Sequence, residues 1–276
     1  MIKIGGYNTL RVVKVVDFGV YLDGEERGEI LLPNEYVPKN CFPDDFVKVF
    51  IYFDSDDRII ATTETPYVTV GEFAFMKVVA VTGVGAFLDW GLRKDLLVPF
   101  REQRQTMQEG RDYFVYAYFD DESDRIVATS KIEKYLDKVP AEYEVMREVE
   151  ILVWRKTEIG YAVIINNAHT GLIYDDEIFK PLRVGQRMSG YIKKIREDGK
   201  IDVSLQKAGY DQIDSLADRI MVKLQDNAGV LDISDKTSPE TIYGIFGCSK
   251  KNYKKALGLL LKTGKILVSD HEIKEK

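Results

Sequence analysis

The chain is poor in the residues that most often carry chemistry. Its 276 residues include two cysteines, Cys41 and Cys248, and two histidines, His169 and His271. Two cysteines far apart in sequence do not build a disulfide scaffold, and a reduced, cytoplasmic protein is expected. No HExxH, GxSxG, Walker A or paired-Cys motif occurs. Catalysis, a bound cofactor and a metal site are therefore not expected. There is no long apolar run and no N-terminal hydrophobic signal, so neither a membrane span nor secretion is expected. His169 follows Asn166-Asn167-Ala168 and reads as a polar turn residue, and the two cysteines read as unreactive small side chains.

The rest of the composition is ordinary: 45% hydrophobic and 30% charged, enough apolar material for a sizeable core. The net charge of −6 argues mildly against a general nucleic-acid coat protein. Its distribution is uneven. Residues 1–66 carry 7 basic and 12 acidic side chains, residues 67–135 carry 9 and 11, residues 136–207 carry 12 of each, and residues 208–276 carry 11 and 10. The front is acidic and the back is neutral to slightly basic.

One segment is written twice. Residues 10–62 contain Val15-Val16-Asp17-Phe18-Gly19-Val20-Tyr21-Leu22-Asp23, then Leu31-Leu32-Pro33, Tyr52-Phe53-Asp54 and Arg58-Ile59-Ile60-Ala61-Thr62. Residues 76–129 repeat the order with Ala80-Val81-Thr82-Gly83-Val84-Gly85-Ala86-Phe87-Leu88-Asp89, Leu97-Val98-Pro99, Tyr118-Phe119-Asp120 and Arg125-Ile126-Val127-Ala128-Thr129. Shared order and spacing identify a duplicated unit. Each copy reads as five short strands in about 60 residues, the size of a five-stranded OB-type barrel. Gly19 and Gly85 are expected to mark the bulge or bend that lets the sheet close.

A weaker third copy runs over residues 145–207, after a connector containing Pro140. Beyond it the period changes. Ile213, Leu216, Ala217, Ile220, Met221 and Leu224 recur at helical spacing. Ser238-Pro239 and Ser249 open two further helices, and Gly264 ends the last. A strand and a tight turn at Ser269–Glu272 follow. The expected fold is mostly β with a C-terminal α+β domain: three tandem five-stranded barrels and a winged helix-turn-helix. The expected domains are residues 1–66, 67–136, 143–207 and 210–276.

The repeated unit resembles the S1 RNA-binding domain. The match in the first copy is Phe18-Gly19-Val20-Tyr21, Gly28-Glu29-Ile30-Leu31, and Asp54 with Arg58. The second copy has Val84-Gly85-Ala86-Phe87 with Arg125 late. The third has Ile159-Gly160-Tyr161-Ala162 and Gly171-Leu172-Ile173-Tyr174, with Arg196 and Lys200 late. Leu31 and Val98 stand where the family carries His, and an aromatic, Tyr174, fills that place in the third copy. Three such units before a winged helix resemble the conserved virulence factor B family of bacteria. The most specific stretch is Ser238-Pro239-Glu240-Thr241-Ile242, Phe246-Gly247-Cys248-Ser249-Lys250-Lys251 and Lys254-Lys255-Ala256. The resemblance implies an RNA-binding protein that regulates gene expression, and it does not imply catalysis.

Single-stranded nucleic acid is held by aromatics that stack on bases and by cations on phosphates. Phe18 and Tyr21 with Arg58, and Phe87 with Arg125, are candidates in the first two copies, with barrel packing as the competing role. In the third copy Lys193, Lys194, Arg196 and Lys200 lie along one hairpin, with Tyr174 and Tyr161 as stacking candidates. Lys250, Lys251, Lys254 and Lys255 fall on one stripe of the last helix, opposite Leu257, Leu260 and Leu261. The acidic runs Asp54, Asp56, Asp57 and Asp120, Asp121, Glu122, Asp124 lack the spacing of a calcium loop and read as solvated turns. The charge places the RNA surface on the third barrel and the winged helix. The alternatives are a duplex-DNA regulator working through the winged helix and a protein-interaction scaffold using the acidic N-terminal domains.

Overall fold

The computed structural model describes residues 1–175, 178, 181–205 and 210–276. The chain divides into two compact units, Met1–Lys138 and Val139–Lys276.

In the first unit, β1 (Gly6–Val16), β2 (Gly19–Asp23), β3 (Glu29–Pro33), β4 (Phe46–Phe53) and β5 (Ile59–Thr62) close a barrel in the order β1-β2-β3-β5-β4. Alternation places Leu10, Val12, Val20, Leu22, Ile30, Leu32, Val47, Val49 and Ile51 inside, where they form the barrel core with Ala61. The second copy supplies β6 (Phe73–Val81), β7 (Gly85–Leu88), β8 (Leu96–Pro99), β9 (Asp112–Asp120) and β10 (Arg125–Thr129). Its order is β10-β9-β6-β7-β8, the same barrel order cut between β8 and β10. The expectation of three closed barrels is thus corrected to two closed barrels and one open five-stranded sheet. The reason is local. Closure of the first barrel rests on one parallel bridge, Leu31 to Ile60, and a single backbone approach leaves no mark in the hydrophobic pattern.

The bulge expected at Gly19 and Gly85 lies elsewhere. The bulge lies in the first strand of each repeat, between Val12 and Lys14, between Val78 and Ala80, and between Val153 and Arg155. Gly19, Gly85 and Gly160 instead begin the second strand, after a hairpin turn. A Cβ on them would sit 2.2, 2.3 and 1.9 Å from the carbonyl oxygens of Leu32, Val98 and Ile173. All three repeats therefore need glycine there for close strand approach rather than for a bulge.

The two copies share a core. Phe50 and Tyr52 on β4 pack in one cluster with Val68, Trp90 and the interior of the second sheet. Trp90 meets Phe50 and Tyr52 edge-on, at 5.7 and 6.1 Å between ring centroids, and its indole N–H donates to the Val68 carbonyl at 2.7 Å.

In the second unit, β11 (Glu148–Thr157), β12 (Gly160–Ile165), β13 (His169–Tyr174), β14 (Arg187–Ile195) and β15 (Ile201–Ser204) close a barrel in the order β11-β12-β13-β15-β14. His169, expected as a polar turn residue, directly follows the turn at 166–168. It opens β13 and is buried, with Nδ1 2.8 Å from the Tyr143 hydroxyl and Nε2 2.8 Å from the Val139 carbonyl. The expected end of this domain, residue 207, lies outside the described residues.

The C-terminal domain holds α1 (Tyr210–Asp226), β16 (Val230–Leu231), α2 (Pro239–Phe246), α3 (Lys250–Lys262), β17 (Ile266–Val268) and β18 (Ile273–Glu275). Its small sheet has the order β16-β18-β17. The Ser238 hydroxyl accepts the Thr241 N–H at 3.2 Å and the Ser249 hydroxyl accepts the Asn252 N–H at 3.1 Å, so both expected helix starts are capped. Leu216, Ile220, Leu224, Ile242, Phe246, Tyr253, Leu257 and Leu260 form the core. The side chain of Ile213 lies outside those described. Among the described residues no helix is long and apolar enough to cross a membrane.

Candidate nucleic-acid interface

Phe18 occupies the turn between β1 and β2 and is 56% exposed. It meets Tyr21 edge-on at 6.3 Å, and Lys14 Nζ lies 4.6 Å from the Tyr21 ring. The aromatic pair exists, but its cations are committed. Lys14 pairs with Glu29 at 2.5 Å. Arg58 pairs with Asp54 at 2.8 Å and Asp56 at 2.9 Å. Arg58 lines a cleft of about 300 Å³ with Pro33, Tyr36, Tyr52, Arg93 and Lys94, a cleft that neither Phe18 nor Tyr21 lines. Phe18 and Tyr21 form an edge-on pair, while the Arg58 expected beside them is tied to Asp54 and Asp56.

Phe87 is half-buried on β7, opposite Ala80 and Leu97. Arg125 pairs with Asp57 of the first barrel. Lys94 joins the same group, 2.6 Å from the Asp54 carbonyl and 3.2 Å from the Asp57 carboxylate. Arg125, and after it Lys94, hold the Asp57 carboxyl below its ordinary range. Partial burial opposes ionisation of Asp54, yet the backbone N–H and guanidinium of Arg58 outweigh it and keep that carboxyl low. The turn Asp54–Asp57 is thus an ion-paired strut between the first two repeats, not a simply solvated loop. Arg101 ties Asp120 and Glu122 in the second repeat in the same manner. Among the described residues no group of three or more His, Cys, Asp or Glu is placed to hold a metal ion.

The third barrel gathers more of what was expected. Arg196 lies 5.7 Å from the Tyr174 ring and donates to the Tyr174 hydroxyl. It also grips Asp202 through Nε at 3.1 Å and Nη2 at 2.8 Å. Tyr161 packs against the barrel core with Lys156 Nζ 4.6 Å from its ring. Register sets Gly160 beside Tyr174 and Lys156 beside Tyr161, so Lys156, Tyr161, Tyr174 and Arg196 share one end of the barrel. Lys156 was missed by sequence reasoning, although Trp154-Arg155-Lys156 is a legible aromatic-basic run. The Arg155 guanidinium sits 4.6 Å over the Trp154 ring. Lys193 and Lys194 are exposed on β14, while Lys200 pairs with Asp198 at 2.8 Å.

On α3 the four expected lysines separate into two kinds. Lys250 Nζ donates to the Lys236 carbonyl at 3.2 Å, and Lys254 pairs with Asp235 at 3.3 Å. Lys251 and Lys255 are exposed and form no ion pair among the described residues. Gly258 and Lys262 continue their stripe at i+3 and i+4 spacing. A Cβ on Gly258 would meet nothing within 4 Å, so the helix backbone is open between the lysines.

Residues 4–64 and 70–131 match the S1 domain model, and residues 218–274 match the CvfB-like winged helix domain model. Over 269 residues the chain is 30% identical to the protein YitL of Bacillus subtilis (strain 168), across 94% of this chain and 89% of YitL. Conserved virulence factor B of Staphylococcus saprophyticus is 25% identical over 231 residues, across 81% of this chain and 77% of its own length. The chain belongs to the conserved virulence factor B family.

Among solved structures, a multidomain protein with nucleic acid binding domains from Streptococcus pneumoniae is 24% identical, covers 99% of this chain and 98% of its own, and has a TM-score of 0.41. For this member of the conserved virulence factor B family, the S1 and winged helix domains support a nucleic-acid-binding role. Both S1 matches fall on the repeats whose late arginines, Arg58 and Arg125, are held by carboxylates.

Proposed function

We propose that this protein binds single-stranded RNA, mainly through the third barrel and the winged helix, and regulates expression after transcription without catalysing a reaction. For the winged helix the observation that carries this reading is the state of the cations; in the third barrel, where Lys156, Arg196 and Lys200 are themselves ion-paired, it is the aromatic surface. Lys14, Arg58 and Arg125, the basic groups around the signature positions of the first two repeats, each have an acidic partner. Lys251 and Lys255 have none among the described residues, and they flank an open stretch of α3 with Lys262. Tyr174 and Tyr161 supply stacking surface in the third barrel. Lysines act as point charges on phosphates, so affinity with little base preference is expected. Duplex DNA is the second reading, favoured by the capped α2 and α3 pair, which has the outline of a helix-turn-helix.

The test is titration of the full chain with labelled single-stranded RNA and with duplex DNA of equal length, at two salt concentrations. RNA is expected to bind more tightly, with affinity falling as salt rises. Lys251→Ala/Lys255→Ala is expected to weaken binding about 10-fold and to flatten the salt dependence. Arg125→Ala is expected to leave RNA affinity within about twofold, because its phosphate partner would have to displace Asp57. Tighter binding to duplex DNA would replace the RNA reading with the DNA one.

A further inference from the structure

We infer that the outer face of the second repeat, around Phe75 and Phe114, is a separate stacking platform for single-stranded RNA. It rests on the RNA-binding reading above but lies on different strands from the signature positions. Phe75 on β6 and Phe114 on β9 face each other in register, with ring centroids 4.9 Å apart, and Phe75 is 38% exposed. Behind them the row continues inward through Phe73 and Tyr116, at 4.7 Å.

The other two repeats act as internal controls. In the first repeat Phe73 and Tyr116 correspond to the register pair Tyr7 and Phe50, and in the third to Glu148 and Tyr191. The next outward pair is Thr9 with Lys48 in the first and Glu150 with Ser189 in the third. The fold is therefore built twice with polar side chains at these two places. Burial of a core does not call for Phe75 and Phe114, whose rings lie at the solvent side of the sheet.

Charge names the occupant. Residues 67–135 contain nine basic side chains. Arg93, Lys94, Arg101, Arg104, Arg125 and Lys134 form ion pairs, and Lys131 donates to the Arg101 carbonyl. The remaining two, Lys77 and Arg111, have no acidic or carbonyl partner among the described residues. Lys77 is two residues from Phe75 on the same face of β6, and Arg111 immediately precedes β9. Asp112 faces Lys77 in register without forming an ion pair. Two neighbouring aromatics with an uncommitted lysine on the same strand face match bases and phosphates of a flexible strand. An apolar protein surface would leave that lysine unanswered.

The experiment crosslinks the full chain to an oligouridylate of about 12 nucleotides carrying 4-thiouridine, a length within one OB-fold footprint. Mass spectrometry is expected to find uridine on Phe75 or Phe114. Phe75→Thr/Phe114→Ser, which copies Thr9 and Ser189 of the sibling repeats, is expected to lose that crosslink and about 10-fold in affinity, with the melting temperature kept. Lys77→Gln, which touches no core residue, is expected to weaken binding and reduce its salt dependence. Crosslinks confined to the third barrel and winged helix, with both variants binding as the parent does, would overturn this platform while leaving the proposed function standing. Absence of any oligouridylate binding would overturn both.

Discussion

The fourth strands of the first two repeats carry the same aromatic pair and cover it differently. Phe50 and Tyr52 in the first repeat occupy the places of Tyr116 and Tyr118 in the second, each pair leading into a Phe-Asp turn. Phe50 and Tyr52 are 0% and 3% exposed beneath Trp90, a side chain of the following repeat. Tyr116 and Tyr118 are half-buried beneath Tyr135, at 4.0 and 5.8 Å, at the end of the short 3-10 helix Ile132–Tyr135. Burial pushes the pKa of both the Tyr52 and the Tyr118 hydroxyl up to about 12. Duplication thus created two apolar sheet faces. One became the joint between repeats, while the other was closed by a single turn of helix. In the third repeat the corresponding residues by register are Tyr191 and Lys194, and an exposed lysine replaces the second aromatic.

The largest test of this contrast removes the first cover. Trp90 is 2% exposed and sits in a cluster containing side chains of both repeats. Trp90→Ala is expected to destabilise the unit Met1–Lys138 by about 3–5 kcal/mol, the usual range for deleting a large buried aromatic. The chain has two tryptophans, one in each unit, so Trp154 remains as a reporter of the other. In urea, the circular dichroism transition of the first unit is expected to move while Trp154 fluorescence keeps its midpoint. A loss below about 1 kcal/mol would mean that the joint is not held by this core.

Tyr135→Ala should cost less, about 1–2 kcal/mol, since it removes a half-buried ring and one stacked pair. It is read from the same unfolding transition. A cost equal to that of Trp90→Ala would show the two covers to be energetically alike and remove the distinction between joint and lid.

Neither cover was legible in the sequence, whereas the repeats themselves were. The barrel strands, the helix caps at Ser238 and Ser249 and the winged-helix order follow from alternation, cap chemistry and spacing, which are local properties. Trp90 reads in sequence as one more strand-end aromatic, and only the docking of two sheets reveals what it touches. The same limit applies to the candidate site. Residue type marked Arg58, Arg125 and Arg196 as phosphate contacts, but whether an arginine is free depends on carboxylates brought near in space. Asp57 is 68 residues from Arg125. Lys250 and Lys254 likewise share a helix face with Lys251 and Lys255 in projection, and only the fold shows them reaching Lys236 and Asp235. The lysine stripe that remains was readable because i, i+4 spacing fixes it without reference to any distant residue.

The smallest expected effect comes from the polar edge of the joint. Asp57 is partly exposed, so its pairs with Arg125 and Lys94 contribute modestly and are screened by salt. Its carboxyl is held below the ordinary range in the folded chain. The linked stability is therefore fully present above the unfolded carboxylate pKa, near 4, and is lost as pH falls through the lower folded value. Asp57→Asn is expected to shift the urea midpoint less than either aromatic substitution between pH 5 and 8. The difference from the parent should shrink as pH falls below the unfolded carboxylate range, near 4. The variant also releases Arg125 and Lys94 for phosphate, so RNA affinity should stay level or rise at low salt. A fall in affinity would mean that the strut positions the RNA surface instead of withholding two cations from it, and that the first two repeats contribute by geometry as much as by their aromatic faces.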